Sequence, residues 1–189
     1  ENDANGLYAL YLNTIGYANV ATGARAMYNN TTGFFNTANG YRAFFNNTTG
    51  RGNAATGYQA LLNNTTGYYN TAIGMASLLT NSTGNHNTAI GNKANVGSSN
   101  LENATAIGDS AIVTASNTIQ LGNVNVTNVK TSGTITAGAV TYPKVDGSNG
   151  QVLTTNGSGT TSWQSKSAVS HSKKTDATTA SEITVGDLK

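Results

Sequence analysis

The chain has no cysteine, a single proline (Pro143) and, between residues 4 and 101, no aspartate or glutamate. Without cysteine there is neither a disulfide framework nor a thiolate to act as nucleophile or soft-metal ligand. No run of 18 apolar residues occurs, so no segment reads as a membrane-crossing helix. Charged residues are 10% of the 189, against roughly 25% in ordinary domains. Only two histidines are present, His86 and His171, and no carboxylate cluster lies near either in the sequence. A zinc site or a catalytic triad needs several such groups to converge, so neither catalysis nor a metal nor a cofactor is expected. The missing acids also exclude a calcium-bound roll, in which each coil supplies an aspartate. A net charge of +2 is too small to imply a nucleic-acid partner.

What the chain has instead is a period. Ala-x-Gly returns every 17 residues, at Ala4, Ala21, Ala38, Ala55, Ala72, Ala89 and Ala106. A strict short period means one small structural unit stacked on copies of itself. A second glycine recurs in phase at Gly16, Gly33, Gly50, Gly67 and Gly84, preceded by Asn-Thr-Thr or a close variant. A small residue (Ala9, Ala26, Ala43, Ala60, Ser77, Ala94, Ala111) repeats as well, followed in the early copies by a large apolar one (Leu10, Met27, Phe44, Leu61, Leu78). Seventeen residues with two glycine-marked corners leave room for two extended segments of about five residues, too short for two helices. Glycine supplies φ > 0 at a corner without steric penalty, and asparagine tolerates the left-handed region. Stacked coils place equivalent residues about 4.8 Å apart, pair the strands in parallel and align identical Asn and Thr side chains into ladders. The expectation is an all-β chain built around a parallel β-solenoid, or β-roll, of about seven coils. Each coil offers few apolar side chains, half of them alanine, which favours burial against further chains in a symmetric oligomer.

After Gly108 the pattern changes. Residues 112–141 alternate, with Ile119-Gln120-Leu121, Val124-Asn125-Val126-Thr127 and Ile135-Thr136-Ala137 reading as short strands. Tyr142 to Gly150 is turn-rich and leads into a strand–turn–strand pattern from Gln151 to Trp163. The division is a repeat region over 1–112, a β-rich neck or shaft segment over 113–141, a hairpin segment over 142–165 and a polar tail over 166–189, read as disordered or the start of a truncated module. Glu1 to Asp3 already lies inside the repeat pattern, so the chain is expected to be a piece of a longer one.

Asn-Thr-Ala-Ile-Gly (70–74 and 87–91), Ala-Thr-Ala-Ile-Gly (104–108) and the Asn-Thr-Thr-Gly spacers resemble the YadA-like head repeats of trimeric autotransporter adhesins, over residues 2–112. The resemblance implies a left-handed parallel β-roll and a homotrimer. Asn117-Thr118-Ile119-Gln120-Leu121-Gly122 and the stretch from Gly150 to Trp163 look like shaft segments of phage tail fibres. Together they resemble mosaic trimeric fibres, implying an extracellular, non-enzymatic attachment protein of a bacterial surface or phage tail. Its target would be a cell-surface glycan, lipopolysaccharide or outer-membrane protein of another cell. Two departures stand out. Asn5, Thr22, Asn39 and Thr56 occupy the position of the later Ile73, Ile90 and Ile107, expected to alter the inner packing of the early coils. Leu101 replaces the second glycine, expected to alter the loop at 97–104.

Recognition is then sought in what varies around the period. Arg25 and Arg42 are one period apart, with Gln59 next and Lys93 two coils further in phase. Stacked, they form a broken positive stripe suited to an anionic polysaccharide or phosphate, or merely a solvated edge that resists mis-stacking. Aromatics concentrate in the early coils, and the corner set Phe34, Phe35, Tyr68 and Tyr69, with His86 in phase with Phe35 and Tyr69, could stack on sugars or pack along the coil. The Asn-x-Thr triplets at Asn30, Asn47, Asn64 and Asn81 match a glycosylation acceptor, although a repeated turn accounts for them too. Three other readings are weighed: a spacer for a C-terminal receptor-binding tip or chaperone outside this chain, an ice-binding array, and a polysaccharide-cleaving tailspike. Adjacent threonines at a corner disfavour the array, which needs Thr-x-Thr on one face. Glu102, Asp109 and Asp146 form no evident acid pair for the tailspike.

Overall fold

A computed structural model of the chain describes residues 1–133, 135–137, 140–142, 147–156 and 160–165. Two compact units divide at 129/130. The first is a parallel β-solenoid, and among the described residues there is no helix. Its main sheet stacks eight three-residue strands: β1 (Asp3–Asn5), β2 (Val20–Thr22), β3 (Thr37–Asn39), β4 (Ala54–Thr56), β5 (Thr71–Ile73), β6 (Thr88–Ile90), β8 (Thr105–Ile107) and β10 (Ile119–Leu121). Every pair is parallel and in register, Ala38 opposite Ala55 and Ala55 opposite Ala72. Seven steps of ~4.8 Å make this stack roughly 34 Å long.

The expected second strand of each coil is absent from the early coils, for a reason visible in the side chains. Ala26 and Met27 are both fully buried, as are Ala43 and Phe44, and Ala60 and Leu61. A strand sends successive side chains to opposite faces, so it cannot bury two neighbours. The backbone instead takes left-handed φ values on either side of the small residue: 59° at Arg25 and 49° at Met27, 54° at Arg42 and 52° at Phe44. This turns both side chains inward. Two coils later the pattern becomes Ala94-Asn95-Val96 and Ala111-Ile112-Val113, with only the outer members of each triplet buried. Alternation is restored, and β7 (Asn95–Val96) pairs with β9 (Ile112–Val113).

The two glycine columns work differently. At Gly57 φ is +133°, and a Cβ there would lie 2.5 Å from the Gly74 carbonyl oxygen. The second column needs space only: Gly50 has no positive φ, yet a Cβ would meet the Gly67 carbonyl oxygen at 2.5 Å and the Asn47 amide. Expecting φ > 0 at both corners is therefore right for the first and wrong for the second.

Buried asparagines join the coils. Asn36 Nδ2 donates to Asn19 Oδ1 (3.1 Å) and to the Gly50 carbonyl (2.9 Å), and Asn53 and Asn70 repeat the arrangement. Ala104 ends this ladder, its N–H donating to Asn87 Oδ1 at 2.9 Å. A second ladder runs through Asn13, Asn30 and Asn47. At each threonine corner one carbonyl collects several donors: the Thr48 oxygen accepts from the N–H groups of Thr31, Thr32 and Gly33 and from the Thr31 hydroxyl.

Two expectations need correction. Ile73, Ile90 and Ile107 are not inner residues: they are 45%, 40% and 39% exposed, while the alanines before them are fully buried. The coil interior admits only alanine at that level, so its neighbours face out. The stack also extends past residue 112, because β10 pairs in parallel with β8. The Gly108-to-Gly122 coil is shorter than the others, with Gln120 opposite Ala106. Val124 to Thr127 forms no strand.

In the second unit β11 (Ile135–Ala137) pairs antiparallel with β12 (Val140–Tyr142), and β13 (Gln151–Thr155) with β14 (Thr161–Ser165). The latter is the expected hairpin, with Trp163 opposite Leu153. The tail at 166–189, His171 and Asp146 lie outside the described residues.

Candidate functional site

Both edges of the coil carry aromatic rings, because equivalent residues fall one above another. Along the edge that leads into the sheet, Tyr17 stacks on Phe34 (5.1 Å, 2° between planes), and Phe35 meets both rings at 75–77°. Further along, Tyr68, Tyr69 and His86 form a second group with centroids 5.4–5.5 Å apart. Arg51 sits between the groups, its guanidinium carbon 4.7 Å from the Tyr68 ring centre and 6.0 Å from that of Tyr69. Arg51 and Tyr17 escaped the sequence reading. Arg51 shares its column with Tyr17, Phe34, Tyr68, Asn85 and Glu102, too mixed a set to read as one surface.

Left-handed backbone presents the outer members of this edge. Ala18, Phe35, Gly52, Tyr69, His86, Asn103 and Asn117 occupy one column with φ between 51° and 63°. Each N–H from Phe35 onward donates across the stack, as from Phe35 to the Tyr17 carbonyl (3.2 Å) and from Tyr69 to that of Arg51 (3.0 Å). The backbone bonds hold the column whatever its side chains, leaving Phe35 60% and Tyr69 53% exposed. Gly52 makes room for its neighbour: a Cβ there would strike the Tyr69 ring at 2.5 Å.

On the other edge, Tyr11 stacks on Tyr28 (5.2 Å) and Tyr28 on Phe45 (5.1 Å). The expected stripe is present in backbone terms, with Arg25, Arg42, Gln59, Ala76 and Lys93 sharing a left-handed column. Its charges are not equivalent. Arg25 and Lys93 are exposed, whereas Arg42 folds its guanidinium onto Phe45 at 4.5 Å and leaves its Nε buried without a hydrogen-bond partner. Gln59 and Ala76 interrupt the stripe.

The structure disposes of the glycosylation match. Asn30, Asn47, Asn64 and Asn81 are fully buried and bonded within the ladder, so no glycan fits on them in the folded stack. Among the described residues, no three His, Cys, Asp or Glu side chains gather to hold a metal. A cleft of about 600 Å³ near the end of the stack is lined by Asp109, Ser110, Gln120 and Asn123, among others. Hydrogen bonds from Asn92 and Ser110, with the charge of Lys93 adding, hold the Asp109 carboxyl below its ordinary range.

Comparison with family models, curated proteins and solved structures returned no match for this chain. Any functional reading therefore stands on the residues and the geometry above.

Proposed function

We propose that this chain is a homotrimeric, non-enzymatic attachment fibre in which the solenoid serves as a stiff head and the following β-segments as neck and shaft. One observation carries the reading: the outer face of the eight-stranded sheet is an apolar stripe running the length of the later coils. Ile73, Ile90, Ile107 and Leu121 stand in one column at 39–45% exposure, with Ile119 beside them at 67%. Soluble surfaces seldom leave a continuous apolar patch uncovered. A straight column with the coil's own period fits the same column in further copies of the chain, which closed cyclic symmetry brings together. The resemblance to YadA-like head repeats supports three as the number of copies and a location outside the cell. Three copies would present each weak surface contact three times, and multivalency converts weak contacts into firm attachment.

Light scattering on the full chain tests this reading. The expected mass is three times the 19.4 kDa of one chain. A stable monomer at micromolar concentration would remove it. The spacer reading keeps the same trimer but assigns recognition elsewhere, and is separated by whether the head binds anything at all.

A further inference from the structure

We infer that the edge formed by Tyr17, Phe34, Phe35, Arg51, Tyr68 and Tyr69 is a binding surface for a linear acidic polysaccharide lying along the stack. The inference rests on the attachment reading and names the ligand class that the head would take.

Three observations converge on it. The first is the exposure of Phe35 and Tyr69 in a column that backbone hydrogen bonds hold without help from the side chains. Packing inside the coil does not require aromatics there, since the same column is filled by Ala18, Gly52, Asn103 and Asn117 in other coils. The second is Arg51. Its guanidinium is spread over Tyr68 and Tyr69, and among the described residues it meets no carboxylate, there being none between residues 4 and 101. A guanidinium fixed on an aromatic face keeps its in-plane donors available and forms bidentate bonds with carboxylate or sulfate. The third is spacing. The backbones of Phe35 and Tyr69 are two coils apart, ~10 Å along the stack, and the Tyr69 ring lies over Gly52 at the level between them. Successive coils rise by about the length of one sugar ring in an extended polysaccharide, so neighbouring sugars would meet the Phe35 and Tyr69 rings while an acidic group on the chain reaches Arg51 beside Tyr68 and Tyr69.

The other edge fits less well. Arg42 is committed to Phe45 with its Nε buried, and Gln59 and Ala76 separate Lys93 from the arginines.

The test uses the full chain and affinity electrophoresis through gels containing alginate, a linear polyuronate, or neutral dextran. Retardation by alginate, weakening as salt rises, and none by dextran is expected. Phe35→Asn and Tyr69→Asn place a residue that the same column already accepts at Asn103 and Asn117, so folding is preserved. Together they should weaken retardation by about tenfold or more. Arg51→Gln should remove most of the salt dependence, and Tyr11→Asn on the opposite edge should change nothing. No retardation of the wild type, equal retardation by dextran, or indifference to the Phe35, Tyr69 and Arg51 changes would each overturn the inference. Light scattering on every variant separates the two ideas. A trimer that ignores alginate defeats the binding surface alone, and a monomeric wild type defeats the fibre. A loss of mass confined to the Phe35 and Tyr69 variants would instead make this edge a contact between subunits, which also overturns the inference.

Discussion

At the scale of single residues, the structure is governed by how little room the coils leave each other. Gly57 combines a φ of +133° with a Cβ direction aimed at the Gly74 backbone. Gly57→Ala should therefore lower stability by at least about 2 kcal/mol, from backbone strain plus the displaced coil. Gly50→Ala should do comparable damage without any φ strain, by striking the Gly67 carbonyl and the Asn47 amide. Gly133→Ala, where nothing lies within 4 Å, should leave the thermal midpoint unchanged at equal protein concentration. Had the second glycine column been selected for conformation, Gly50→Asn would be tolerated, and the clash says it will not be. The period marks both columns identically, so this difference was illegible in the sequence. The facing of Ile73, Ile90 and Ile107 was illegible for a related reason. Hydrophobicity argues for burying isoleucine ahead of alanine, and only the narrowness of the coil reverses that order.

At the scale of the coil, cohesion runs through the buried asparagines. The Asn53 side chain accepts from the backbone and side-chain N–H groups of Asn70 and donates to Asn36 and the Gly67 carbonyl. Asn53→Ala leaves several of these groups buried and unpaired, at about 1–3 kcal/mol each. Asn87→Ala should be milder, because the ladder stops at Ala104 and only one N–H on that side loses its partner. Thermal melts ranking Asn87→Ala below Asn53→Ala would count against a ladder that acts coil to coil. The ladders, the buried alanines and the parallel register were all legible, since each follows from identical residues stacked at a fixed period. The left-handed turns at Met27, Phe44 and Leu61 were not. Bulky side chains seldom adopt that conformation, and only the burial of two successive residues reveals why they do so here. The same limit hid part of the proposed binding edge: Phe34, Phe35, Tyr68, Tyr69 and His86 stood out as aromatic, but Arg51 acquires meaning only from the ring beneath it.

At the scale of the molecule, the exposed column on the sheet is the face through which the proposed trimer would close. Ile90→Glu would place three carboxylates near one another in the proposed trimer, and like charges brought together out of water repel strongly. The expected result is a shift in light-scattering mass from trimer to monomer. Thr56→Glu, in the same column where the early coils are already polar, should leave the mass closer to trimeric. Equal masses for both variants and wild type would mean that the sheet face is not the contact.

The parallel stack also has a mechanical reading. Nearly all bonds between neighbouring coils, from the strand ladder to the threonine corners, run along the stack axis and belong to one coil boundary at a time. A chain held at one end and pulled along that axis has its boundaries loaded in sequence, like a zip, instead of sheared all at once. Single-molecule force spectroscopy should record a sawtooth in which each event frees one 17-residue coil, roughly 60 Å of extended chain. A fibre that yields in such steps would dissipate a sudden tug at its tip instead of transmitting it whole to whatever anchors it.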